Sequence, residues 1–103
     1  VFVKVEGVPG GPDGSVTDSE GNLWNARWGG SSIDVYSPAG ERIHAYKVPV
    51  RQPTCPSFVG PDLDRIVTTS ASVGLSDPDP LHDGATIELH VPAKGRPEPI
   101  VKL

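Results

Sequence analysis

The chain has 103 residues and a net charge of −4, with acidic and basic residues scattered rather than clustered. That size suits one small domain, and the lack of a Lys/Arg cluster argues against nucleic acid as a partner. No apolar run approaches the ~18 residues of a membrane-crossing helix, and twelve glycines with twelve prolines are too many for a helical protein.

Short alternating apolar runs between turn residues predict an all-β fold. Val1-Phe2-Val3-Lys4-Val5 predicts a leading strand, and Val8–Gly14 a loop closed to both strand and helix. Ser15–Asp18 is a short strand. Ser19-Glu20-Gly21-Asn22 is a turn in which glycine supplies the positive φ. Leu23–Trp28, Ser32–Ser37 and Arg42–Val48 are the next strands, separated by Gly29-Gly30 and Pro38-Ala39-Gly40-Glu41. Thr54–Val59, the turn Gly60–Asp64, and the β-branched run Arg65–Ala71 follow. A loop from Ser72 to Gly84 interrupts the rhythm, Thr86–Val91 resumes it, and Ile100–Leu103 is a last short strand. The expected tally is one leading strand and two four-stranded units, with no helical periodicity.

The two units repeat: Trp24 and Ile66 take equivalent places 42 positions apart. Short strands at a period of about 40–45 mark propeller blades, which bury their faces against neighbours. The expected contacts are Leu23, Trp24, Ile33, Val35 and Ile43 in the first unit, and Phe58, Ile66, Val67, Ile87, Leu89 and Ile100 in the second. With no methionine and a start inside an apolar run, the chain is expected to be a piece of a longer protein, the alternative being a processed chain. Its single cysteine, Cys55, cannot form an internal disulfide and leans towards a reducing compartment, the cytoplasm.

Pro12-Asp13-Gly14-Ser15-Val16-x-Asp18-x-Glu20-Gly21-Asn22-Leu23-Trp24-x-Ala26-x-Trp28-Gly29-Gly30 resembles the signature of the SMP-30/gluconolactonase/regucalcin family. Tyr36-Ser37-Pro38-x-Gly40, Pro49-Val50-x-Gln52-Pro53-Thr54-Cys55-Pro56-x-Phe58 and Asp62-Leu63-Asp64-x-Ile66-x-Thr68-x-Ser70-Ala71 continue it, and the match corresponds to the family's C-terminal third. The resemblance implies a six-bladed β-propeller, residues 1–13 ending one blade, 14–50 forming the next and 51–103 the last. It implies one divalent metal ion (calcium, zinc or magnesium) at the channel mouth, and the opening of sugar lactones such as gluconolactone. It makes Asp13 a metal ligand and a candidate general base. The other ligands, a glutamate and an asparagine, and the substrate-contacting arginine, asparagine and glutamate would belong to segments outside this chain. Val59, the shortened loop Gly74–Gly84, and Ala85-Thr86-Ile87 depart from the family pattern.

Read from the residues alone, Asp13 has two accounts: a hard-cation ligand, or a turn aspartate bonded to its own backbone. One carboxylate cannot hold a cation by itself. Asp77, Asp79, His82 and Asp83 read as a solvated loop in preference to a second cation site. Cys55 lacks a neighbouring cation and reads as a small packed residue near the channel wall. His44 and His90 read as outer strand positions. Trp24 and Trp28 share a strand face, Trp24 for packing and Trp28 as a candidate substrate contact at the channel mouth. Asn25 and Arg27 share the other face and read as surface or inter-blade contacts. The expected function is the C-terminal part of a metal-dependent sugar-lactone hydrolase, inactive alone. The alternative is a non-catalytic calcium-binding or scaffold propeller. Uncovered blade faces imply self-association, and three copies could close a six-blade ring. A sugar lactone is the expected partner, with neither nucleic acid nor membrane.

Overall fold

The structure, a computed structural model, describes residues 1–102. Its strands are β1 (Gly11–Thr17), β2 (Leu23–Trp28), β3 (Ser32–Tyr36), β4 (Arg42–Lys47), β5 (Pro53–Val59), β6 (Arg65–Ser70) and β7 (Ile87–Leu89). They form two antiparallel sheets, one of order β1-β2-β3-β4 and one of order β5-β6-β7, and the described residues contain no helix.

The apolar alternation builds the interior. Trp24 faces Val35 and Ala26 faces Ile33 across the β2–β3 ladder, so these four side chains form one apolar face. That face packs on Phe58 and Ile66 of the second sheet, with Val48 and Val50 of the connecting segment completing the cluster. Trp24 stacks on Tyr46 at 5.3 Å and meets the Phe58 ring edge-on at 5.5 Å. Burying each large side chain contributes about 1.5–3 kcal/mol. Turn residues close the ladders, most visibly Gly21 at φ 83 between β1 and β2. The two units are also joined where Ser19 N–H donates to the Lys94 carbonyl at 2.8 Å, and the next residue, Gly95, is held within the second unit by donating to the Leu63 carbonyl at 2.8 Å. Only glycine fits at 95, because a Cβ there would overlap the Phe58 side chain.

Several expectations are corrected. Residues 1–6 form no strand, since an extended run becomes one only where a partner ladder lies alongside. The loop expected over 8–14 yields to β1 from Gly11; Pro12 is tolerated because β1 is an edge strand. The second unit has three strands among the described residues, not four. Strand pairing over Thr86–Val91 shrinks to Ile87–Leu89, and residues 100–102 form no strand. Leu103, the end of that expected strand, lies outside the described residues. Ile43 is 46% exposed rather than core: β3 pairs Val35 with His44 and Tyr36 with Arg42, so Ile43 is the extra residue of a bulge. Ile100 is 92% exposed beyond the last ladder.

Candidate functional site around Asp13

The Pro-Asp-Gly turn lies within a strand. Pro12 pairs with Arg27 and Ser15 with Asn25, so Asp13 and Gly14 together oppose the single residue Ala26. This is a β-bulge, which re-aims side chains out of the regular alternation. Asp13 is exposed, and among the described residues no hydrogen bond or ion pair engages its carboxylate. Gly14 explains how closely the second sheet approaches. A Cβ there would stand 2.7 Å from the Thr54 carbonyl oxygen and 2.8 Å from Cys55 Cβ and Sγ. The bulge of β1 therefore rests on β5.

Asn25 and Arg27 are not surface residues: they are 5% and 0% exposed, because residues 2–10 run across their side of β2. Asn25 Nδ2 donates to the Asp13 carbonyl and to Ser15 Oγ, each at 2.8 Å. Arg27 Nη2 donates to the Gly10 carbonyl at 2.8 Å and to that of Pro9 at 3.2 Å. Its Nε lies 3.7 Å from Asp34 Oδ2, close enough for attraction but too long for a hydrogen bond. Asp34 also accepts from Ser32 Oγ at 2.8 Å. Burial, and then the nearby Asp34 charge, push the Tyr36 hydroxyl above its ordinary pKa. A cavity of about 320 Å³ opens beside the bulge, with Asp13, Ser15, Asn25 and Tyr36 as its polar wall and Phe2 and Leu23 on its apolar side.

The remaining candidates lie elsewhere. Trp28 is half-buried at the end of β2 opposite Gly11 and is not part of that cavity wall. Cys55 is exposed rather than packed: it falls on the outward face of β5, with its thiol against Gly14. His44 and His90 are both exposed, and His44 stacks on Tyr46 at 5.4 Å. Of the loop acids, Asp79 and Asp83 are engaged internally through their carboxylates, and Asp77 through its backbone carbonyl, which accepts from Arg51. Asp83 accepts from Arg51 Nη2 at 2.6 Å, Arg51 N at 3.0 Å and Asp79 N at 2.9 Å, and these bonds hold its carboxyl at about 2. The hydrogen bond from His82 lowers that of Asp79. Among the described residues no three His, Cys, Asp or Glu side chains gather to hold a metal ion. Sequence reading missed Asn25 and Arg27 as supports of the Asp13 turn. The available signal was two polar residues alternating with Trp24, Ala26 and Trp28 in a strand ending at Gly29-Gly30.

Residues 1–72 match the family described as SMP-30/Gluconolactonase/LRE-like region. The chain is 48% identical over 99 residues to a Rhizobium meliloti protein named for sugar lactone lactonase activity, a match spanning 92% of this chain and 33% of that one. It is 44% identical over 76 residues to an L-arabinolactonase of Azospirillum brasilense, covering 74% of this chain and 25% of that protein. The crystal structure of a calcium-binding protein, regucalcin, from Agrobacterium tumefaciens superposes with a TM-score of 0.89 at 45% identity, covering 100% of this chain and 36% of that one. The chain thus spans between a quarter and just over a third of the length of these relatives. With its paired antiparallel sheets and its Pro-Asp-Gly bulge, this chain belongs to the SMP-30/gluconolactonase/LRE-like family.

Proposed function

We propose that this chain is part of a metal-dependent sugar-lactone hydrolase, and that Asp13 is its contribution to the metal site. The observation that carries the reading is the state of the Asp13 carboxylate. It is exposed, aimed by a bulge, and free of internal partners among the described residues, in a chain whose relatives are named for lactone hydrolysis. The donor chemistry suits a hard divalent cation such as calcium, magnesium or zinc, which takes carboxylate oxygen. One carboxylate fits one position of a shared site, and a glutamate and an asparagine outside this chain would supply the rest. When bound, the cation would polarise the lactone carbonyl. The chain's own residues supply the geometry. Asp13 lies on the polar wall of a cavity whose other side is apolar, and is the group able to take a proton from the attacking water. The water oxygen would then bond to the carbonyl carbon, and the ring C–O bond would break, its oxygen taking up a proton as the hydroxy acid forms. Trp28 stands as a further candidate substrate contact.

In this reading the two sheets are successive blades of a six-bladed propeller, the first starting with β1 at Gly11 rather than at residue 14 and running to residue 50, the second lying within 51–103, and residues 1–10 would close the preceding blade. The isolated 103 residues, with one ligand of several, would be inactive and would self-associate through uncovered faces. Light scattering on that chain tests the association, and a monomer removes it. The decisive assay follows gluconolactone and arabinonolactone opening by the native protein that carries these residues, and by its Asp13→Ala variant. Equal rates would reject the role of Asp13. A second reading, a calcium-binding propeller without catalysis, is favoured by the name of the Agrobacterium tumefaciens structure. Calcium binding without turnover on a panel of sugar lactones would select it.

A further inference from the structure

We propose that Asn25 is a positioning residue for the Asp13 carboxylate, an inference that rests on the reading of Asp13 as a cation ligand. A bulge leaves its extra residues without a cross-strand backbone partner, so something else must fix them. Here that is one buried amide. Asn25 Nδ2 donates to the Asp13 carbonyl and to Ser15 Oγ, both at 2.8 Å, and so spans the bulge from its first residue to the strand that resumes after it. Its Oδ1 is buried without a hydrogen-bond partner among the described residues. Packing alone would favour a leucine of similar size, which leaves no buried acceptor unmet. The amide is therefore explained by what its nitrogen holds.

The segment before the bulge is anchored from the same strand face. Arg27 grips the Pro9 and Gly10 carbonyls. Gly10, at φ 80, lies so close to the β2–β3 turn that a Cβ would come within 2.6 Å of the Gly30 nitrogen. Two alternate residues of β2 thus fix the chain before Asp13 and at Asp13, while the carboxylate itself stays unengaged. A ligand must be held within about 0.5 Å of its productive place. Loss of such a support typically costs 10–100-fold in metal affinity.

The test is calorimetric titration of the native protein carrying these residues with calcium, magnesium and zinc, alongside Asp13→Ala and Asn25→Leu. Each protein is also melted without metal, and the amide exchange of Gly14 is followed. In Asn25→Leu we expect affinity to fall roughly 10–100-fold, metal-free melting to stay cooperative, and the Gly14 amide to exchange faster. A folded Asn25→Leu that binds within about twofold of wild type, while Asp13→Ala loses binding, overturns this inference and leaves the ligand role of Asp13 standing. Unchanged affinity in Asp13→Ala, or no binding by wild type, overturns both. If Asn25→Leu does not fold, Asn25→Gln, which displaces the amide by one methylene, is judged by the same criterion.

Discussion

The two ends of β1 carry carboxylates in opposite situations. At one end Asp18 is 3% exposed and accepts from Trp24 Nε1, the Asn22 and Glu20 amides and Asn22 Nδ2, at 2.9–3.1 Å. Burial pushes its carboxyl upward, but those hydrogen bonds outweigh it and leave the pKa below its ordinary value. At the other end Asp13 is exposed and engages no internal donor among the described residues. An acid saturated by its own chain closes a turn; one left open, on a backbone held by neighbours, remains available to a ligand. Sequence alone places Asp13 in a turn and Asp18 at the end of a short strand, and it is their partners that tell the roles apart.

Removing the saturated acid is expected to do the most damage to the fold. Asp18→Ala leaves the Trp24 indole N–H and two backbone amides without their acceptor, and should lower unfolding free energy by about 2–4 kcal/mol. A urea midpoint within error of wild type would erase the contrast. The sign of its pH dependence is also set. The folded pKa is depressed, so the stabilisation is present above the ordinary value of 3.8 and is lost as pH falls through the lower folded one.

Gly14→Ala probes the contact between the bulge and β5. The added methyl must displace the Thr54 carbonyl or the Cys55 side chain, at a cost of about 1–3 kcal/mol by chemical denaturation. A neutral result would show that the bulge can lift off the second sheet. The Arg51–Asp83 latch should have a smaller, local effect. With the Asp83 pKa depressed to about 2 from 3.8, the latch is fully formed above the ordinary value and released as pH falls towards the folded one. Protease cleavage within Ser72–Gly84 should therefore rise in acid before global unfolding, and Asp83→Asn should cleave faster even at neutral pH. Asp13→Ala should be nearly silent in stability, within about 0.5 kcal/mol, while cation binding by the native protein disappears. A large loss of stability would make Asp13 a structural acid like Asp18.

Much of the architecture was legible because it rests on local chemistry. The period-2 alternation of Ile33 and Val35, the glycine turns at Gly21 and Gly40, and the β-branched run at Arg65–Ala71 each fix an element within a few residues. What escaped depends on partners distant in sequence. Val1–Val5 has the composition of a strand but no ladder beside it among the described residues. Ile43 has the alternation of a core residue, yet a one-residue slip against β3 turns it outward. Pro12 reads in sequence as a strand breaker, yet on the edge strand β1 a residue without an N–H is tolerated. At the site, Asp13 was visible from its turn and from the family signature. Asn25 and Arg27 read in sequence as surface or inter-blade contacts because their cover, residues 2–10, crosses from another part of the chain.

Cys55 gives this arrangement a practical use. It is the chain's single cysteine, it is exposed, and its sulfur lies against Gly14, one residue from Asp13. A fluorophore or nitroxide coupled to that thiol would sit beside the proposed ligand without removing it. Its emission or mobility would then register cation capture directly, in a protein that need not turn over any substrate.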